Sequence, residues 1–118
     1  MKQILVVDDE RLIRTIMSEI LQSHGYSVTL APSADEARGV LEDPGHCDMV
    51  ITDIQMPGAW DGLALADHVA RELPSLPVLI MTGRPEMLGR PLRGNERFLS
   101  KPFGADQLMA KIDELEKR

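Results

Sequence analysis

The sequence predicts a doubly wound α/β sandwich: a parallel sheet between two layers of helices. Three observations lead there. Short apolar runs recur along the 118 residues, each separated from the next by enough chain for a helix. The intervening stretches carry helical periodicity. Their ends coincide with residues that start and stop helices.

Taken in order, Ile4-Leu5-Val6-Val7 is the first strand and runs into Asp8-Asp9. Between Glu10 and His24, Ile13, Ile16, Met17 and Ile20 fall at i, i+3, i+4 and i+7, which predicts a helix with one buried stripe, stopped by Gly25. Tyr26-Ser27-Val28-Thr29-Leu30 alternates as a second strand. Ser33-Ala34-Asp35-Glu36 reads as a capping box whose helix reaches about Leu41 and closes at Asp43-Pro44-Gly45. Met49-Val50-Ile51-Thr52 is the third strand and leads into Asp53. A third helix spans about Asp61 to Leu73, with Asp61 as its N-cap, and Pro74 ends it.

Val78-Leu79-Ile80-Met81, the fourth strand, meets Thr82. Gly83, Pro85, Gly89, Pro91 and Gly94 then punctuate the region of a fourth helix, which must be short or irregular. Phe98-Leu99-Ser100 leads into Lys101-Pro102, and a last helix from about Ala105 to Lys117 buries Leu108, Ile112 and Leu115. The expected order is thus five strands alternating with five helices.

Bulk properties narrow the function. A chain of 118 residues makes one domain with a sizeable core. A net charge of −6 without a Lys/Arg block argues against direct nucleic acid binding, which needs a basic face. The single Cys47 excludes an internal disulfide and suits a reducing compartment. Met1-Lys2-Gln3 leads into a strand without a signal peptide, and no apolar stretch nears the ~20 residues of a membrane span. A cytoplasmic domain with no membrane contact is expected.

In an open parallel sheet, ligands bind beyond the carboxyl ends of the strands. Asp8, Asp9, Asp53, Thr82 and Lys101 all fall there: three carboxylates, a hydroxyl and an ammonium. Two carboxylates about 4 Å apart repel by ~4 kcal/mol at an effective dielectric near 20, so such a cluster points to a hard cation or a shared proton. Carboxylate, carbonyl and water ligands suit Mg²⁺, which accompanies phosphoryl groups. Lys101 would pair with one phosphoryl oxygen and Thr82 would donate to another, while a carboxylate can serve as nucleophile through an acyl phosphate.

The motifs Val6-Val7-Asp8-Asp9-Glu10, Asp53-Ile54-Gln55-Met56-Pro57-Gly58 with Asp61-Gly62, Met81-Thr82-Gly83 and Phe98-Leu99-Ser100-Lys101-Pro102-Phe103 together resemble the receiver domain of bacterial two-component response regulators. The resemblance covers essentially the whole chain, as a single receiver over residues 1–118 with no output domain. It implies a flavodoxin-like (βα)5 fold with strand order 2-1-3-4-5. It implies that Asp53 accepts a phosphoryl group from the phosphohistidine of a sensor histidine kinase or a histidine phosphotransfer protein, and that Asp8, Asp9, Asp53 and the Gln55 backbone carbonyl hold Mg²⁺. Thr82 and Lys101 would contact the phosphoryl group, Thr82 and Phe98 would form the switch, and the Lys101-Pro102 peptide would be cis. The phosphorylated state would control a downstream protein; the domain would catalyse only its own phosphorylation and dephosphorylation, and its oligomeric state stays open. The outward face of the first helix, Arg11, Thr15, Ser18 and Gln22 with Leu12 at its flank, would meet the donor kinase.

Two local departures from the family pattern stand out: three residues, Gly58-Ala59-Trp60, separate Met56-Pro57 from Asp61-Gly62 where two are usual, and Gly83 occupies a position where Ala is common. Phe98 suits a strand core in any case. Trp60 reads as a half-exposed loop anchor, Cys47 as inert, and His24, His46 and His68 as surface or capping residues without metal-ligand spacing. A phosphorylation-independent docking module is the alternative. A Mg²⁺-dependent aspartyl-phosphate phosphatase is weaker, since no cap domain encloses a substrate. A flavin carrier conflicts with the acidic first turn, and no P-loop or Gly-x-Gly-x-x-Gly supports nucleotide binding.

Overall fold

The computed structural model of the chain describes residues 2–43, 45 and 47–118. Met1, Pro44 and His46, read above as the lead-in to the first strand, part of the end of the second helix and a surface histidine, lie outside these. The strands are β1 (Gln3–Val7), β2 (Ser27–Ala31), β3 (Met49–Asp53), β4 (Val78–Thr82) and β5 (Glu96–Ser100). The helices are α1 (Arg11–Ser23), α2 (Ala34–Val40), α3 (Gly62–Glu72) and α4 (Ala105–Lys117). All strands pair in parallel in the order β2-β1-β3-β4-β5.

Strand alternation divides the core in two. Leu5, Val7, Val50, Val78 and Ile80 point to one side, where they pack with Ala34, Ala37, Leu65, Ala66 and Val69 of α2 and α3. Ile4, Val6, Ile51, Leu79 and Met81 point to the other and meet Met17 and Leu21 of α1 with Leu108, Ile112 and Leu115 of α4. The central strands β3 and β4 are buried throughout, which is why they read as continuous apolar runs. At the edge, β2 is half exposed, and it runs one residue later than its alternation suggested.

The helix signals act as written. Gly25 takes φ +89° past α1, and its N–H donates to the Gln22 carbonyl. Ser33 Oγ accepts from the Glu36 N–H at 3.1 Å, and Asp61 Oδ1 from the Ala64 N–H at 2.8 Å. The stripe on α1 differs from expectation. Met17 and Leu21 are its buried residues, Ile13 and Ile20 are half-buried, and Ile16 is 43% exposed beside Leu12 at 69%. The helix is rotated so that part of its apolar surface faces outward.

The expected fourth helix, between β4 and β5, is reduced among the described residues to one 3₁₀ turn, Pro85–Met87, in keeping with the short or irregular element read there. Pro85 and Pro91 lack N–H groups for a helical ladder, and Gly89 takes φ +62°. Charge holds the segment instead. Glu96 opens β5 fully buried, and Arg90 grips its carboxylate in a bidentate pair at 2.8 and 3.0 Å. Arg93 adds its backbone N–H at 2.8 Å and its Nη1 at 3.1 Å, while its Nη2 reaches Asp67 of α3 at 2.7 Å. Met87 and Leu88 pack on the α2–α3 side of the core.

Burial alone would raise the Glu96 pKa, but the Arg90 and Arg93 donors outweigh it and hold the carboxyl below its ordinary 4.5. Glu96→Gln should therefore cost about 3–5 kcal/mol, because it leaves guanidinium groups packed against a neutral amide. A depressed carboxyl pKa contributes stability above the unfolded value and loses it as pH falls through the folded one. Urea unfolding across pH should show the full gap between wild type and variant above pH 4.5, narrowing as the pH drops below it.

Candidate functional site

Sheet register brings the predicted residues together. Val7 pairs with Thr52, so the next residues, Asp8 and Asp53, lie side by side at the ends of β1 and β3. Asp53 pairs with Met81, which places Thr82 just beyond it on β4, and Thr82 pairs with Ser100, which delivers Lys101 to the same edge. The chain reverses its direction across the sheet between β1 and β3, the point at which such sheets form their crevice. The Lys101–Pro102 peptide is cis, as the resemblance implied.

Asp8, Asp9 and Asp53 each offer an oxygen within 4.8 Å of the others, a set able to hold a metal ion. Asp8 is fully buried, Asp53 is 7% exposed and Asp9 faces solvent. Lys101 Nζ bridges the two buried acids, 2.9 Å from Asp8 Oδ2 and 3.4 Å from Asp53 Oδ2. The other Asp8 oxygen accepts from the Glu10 N–H at 2.9 Å, and Asp53 Oδ1 from the Ile54 N–H at 2.9 Å.

Burial is the main force raising the Asp53 pKa; Lys101 pulls it down, the Asp8 charge pushes it up, and the net direction is upward. For Lys101, burial works against the charge, yet Asp8 and Asp53 outweigh it and its pKa rises. The ammonium is thus held charged between two acids. Thr82 is buried, and its Oγ1 accepts the Arg84 N–H at 3.0 Å, which leaves its own proton to donate. Phe98 is half-buried against the α2–α3 side of the core. Gln55 is exposed on the loop after Asp53.

This arrangement has known counterparts. The family model described as "Response regulator receiver domain" matches residues 4–113. The chain belongs to this family. It is 34% identical over 119 residues to the response regulator MprA of Mycobacterium sp. (strain KMS), an alignment covering 98% of this chain and 51% of that protein. It is 36% identical over 109 residues to the C4-dicarboxylate transport transcriptional regulatory protein DctD of Rhizobium meliloti (strain 1021), covering 90% of this chain and 23% of the relative. The chain therefore spans about half the length of the MprA proteins it matches. Among solved structures, the response regulator TrrA of Thermotoga maritima in complex with Mg²⁺-BeF superposes with a TM-score of 0.86 at 33% identity, covering 98% of this chain and 99% of that one. This is a receiver domain of two-component signalling, with the flavodoxin-like order of its relatives.

Away from the site, at the other end of the strands, His24 and Cys47 take the places expected of them. His24 caps α1, its Nδ1 2.9 Å from the Ile20 carbonyl oxygen, and burial pushes the Cys47 thiol pKa up, as befits an inert cysteine. Trp60 packs edge-on to His68 at 5.3 Å and lies under the Arg38 guanidinium at 4.6 Å. The loop lengthened by one residue is thereby tied to α2 and α3, with Asp35 accepting the Ala59 N–H at 3.3 Å.

Two features escaped the sequence reading. The Glu96 cluster carries a faint signal, since Arg90 and Arg93 precede Glu96 by six and three residues in an otherwise featureless loop. Arg14 carries a clearer one: it stands one turn before Met17 and two before Leu21, on the buried stripe where a charge is unexpected.

Gly62 shows how tightly the loop is built. Its N–H donates to the Ile54 carbonyl at 2.8 Å, and a Cβ there would run into the Asp53 backbone carbonyl. Gly62→Ala should displace the Asp53 strand end and cost about 1–3 kcal/mol in chemical denaturation, the usual range for overpacking.

Proposed function

We propose that this receiver takes a phosphoryl group from a phosphohistidine onto Asp53 and uses the modified state to control a partner. The single observation that carries this is the convergence of Asp8, Asp9, Asp53 and Lys101 on one strand edge. Three hard oxygen donors at mutual distances within 4.8 Å fit Mg²⁺, with the Gln55 backbone carbonyl on the adjoining loop as a further ligand. When bound, Mg²⁺ neutralises charge on the phosphoryl oxygens as phosphorus is attacked.

The chain's own residues do the rest. The Asp53 carboxylate attacks phosphorus; an O–P bond forms, the P–N bond breaks, and its electron pair stays on the departing imidazole. Lys101, already charged and half-buried, turns from the Asp53 oxygen to a phosphoryl oxygen. The Thr82 hydroxyl donates to another, and because the Arg84 N–H is bonded to that same hydroxyl, the following loop moves with it. Phe98, two strands from Asp53, repacks as the aromatic part of the switch. Hydrolysis of the acyl phosphate returns the domain to its starting state, so it acts only on itself. We place it in the cytoplasm, where its single cysteine stays reduced.

The donor is a sensor histidine kinase or a histidine phosphotransfer protein. A groove of about 520 Å³, lined by Ile13, Ile16, Met17, Ile20, Pro102 and Phe103, leads up α1 to Gly83 and Lys101 at the site. A donor helix with an apolar stripe lies along it and carries its phosphohistidine to Asp53. Leu12 and Ile16, exposed beside the groove, add to the face of Arg11, Thr15, Ser18 and Gln22.

Intact mass after incubation with Mg²⁺ and acetyl phosphate tests the chemistry. One added phosphoryl group is expected in wild type and none in Asp53→Asn or with EDTA; a gain that persists in Asp53→Asn sinks the assignment, and no gain in any sample favours the docking module. The groove makes a separate prediction. Ile16→Glu should slow transfer from the cognate kinase at least tenfold, about 1.4 kcal/mol, while labelling by acetyl phosphate stays at the wild-type rate.

A further inference from the structure

We infer that Arg14 is a positioning residue for the metal site, acting on Asp9 through the backbone and touching neither metal nor phosphoryl group. The inference rests on the reading above that Asp8 and Asp9 hold Mg²⁺. Arg14 lies on the inward side of α1, in line with Met17 and Leu21, which are 1% and 0% exposed. From there its Nη1 donates to the Asp8 carbonyl oxygen at 2.7 Å.

That oxygen belongs to the peptide joining Asp8 to Asp9, so its direction sets where the Asp9 side chain starts. The other ties of the turn run through Asp8: its N–H donates to the Ala31 carbonyl at 3.2 Å, and its side chain takes Lys101 and the N–H of Glu10, on the far side of Asp9. Asp9 is exposed and, among the described residues, its carboxylate has no hydrogen bond or ion pair. At the start of α1 Glu10 makes no side-chain cap and the first helical turn carries no acid, so the bond from the Glu10 N–H to Asp8 is the tie on that side. Among the described residues, Arg14 is the side chain that ties the body of α1 to the peptide preceding Asp9.

Electrostatics would place no cation here. A guanidinium beside a divalent ion opposes its binding, so a purely electrostatic account has Mg²⁺ bind more tightly once Arg14 is neutralised. Positioning gives the opposite sign, because residues that orient metal ligands typically contribute about 10–100-fold to affinity. The sign of one substitution therefore separates the two.

The experiment is a Mg²⁺ titration of the full chain, followed on the folded-state amide peaks in ¹H–¹⁵N NMR, for wild type, Arg14→Gln and Arg14→Lys. Folded-state peaks report the affinity of folded molecules, so a loss of stability alone leaves the midpoint where it was. Arg14→Gln should weaken Mg²⁺ about tenfold. Arg14→Lys, which keeps the charge but not the planar fork, should weaken it by a smaller factor and decides the matter if the Gln variant does not fold. Unchanged or tighter binding in the variant that folds overturns the role of Arg14. A wild type that does not respond to Mg²⁺ overturns the underlying metal reading instead, a failure visible before any variant is compared.

Discussion

One ammonium between two buried acids governs the architecture of this receiver. Asp8 and Asp53 follow or end adjacent strands and are both buried, and burial pushes the Asp53 carboxyl upward. Lys101 Nζ lies 2.9 Å from one and 3.4 Å from the other, and both acids hold the ammonium charged against its burial. It arrives there only because β5 pairs with β4 in a register that sets Ser100 opposite Thr82. Residues from the ends of β1, β3 and β5 thus meet at one electrostatic centre. A net negative site remains once Asp9 is counted, and that remainder is what a divalent cation would find.

The fold was legible because each level of the sequence pointed the same way. Continuous apolar runs at β3 and β4 can only be strands buried on both faces. Ser33 and Asp61 announce their helices and cap them in the structure. The site was legible for a topological reason: a parallel sheet sends every strand end to one edge, so residues far apart in sequence become neighbours by rule. Less was visible where long-range charge replaces local pattern. Nothing in the residues around Glu96 marks it as a strand residue, since a glutamate there reads as solvated until Arg90 and Arg93 fold over it. The rotation of α1 was equally hidden, because Ile13, Ile16, Met17 and Ile20 fit a buried stripe and a half-exposed groove equally well.

The segment between β4 and β5 shows how a receiver can do without a helix. A helix satisfies its backbone internally and packs one apolar stripe; here only Met87 and Leu88 reach the core. The remaining order comes from a buried carboxylate that gathers two guanidinium groups and one backbone N–H, with Asp67 linking the cluster to α3. Such a cluster is strongly directional and tolerates little displacement before its bonds are lost. The segment begins two residues after Thr82, whose hydroxyl is bonded to the Arg84 N–H. Thr82 is thereby bonded directly to the start of a charge-anchored loop in place of a helix.

The opposite side of the site is stiffened by other means. The lengthened Gly58-Ala59-Trp60 loop places Trp60 between Arg38 of α2 and His68 of α3, and Asp35 holds the Ala59 N–H. Gly58, at φ +107°, makes that turn possible and lies against the Asp35 carboxylate, where a side chain would collide. Gly62 then brings the start of α3 onto the Asp53 carbonyl. The loop that carries the Gln55 carbonyl is pinned at both ends, so its geometry is set before any ligand arrives. The β1–α1 turn is fixed at Asp8 and, through Arg14, at the following peptide. The acids of the site thus project from two turns, after β1 and after β3, that are each held by side-chain bonds and close packing.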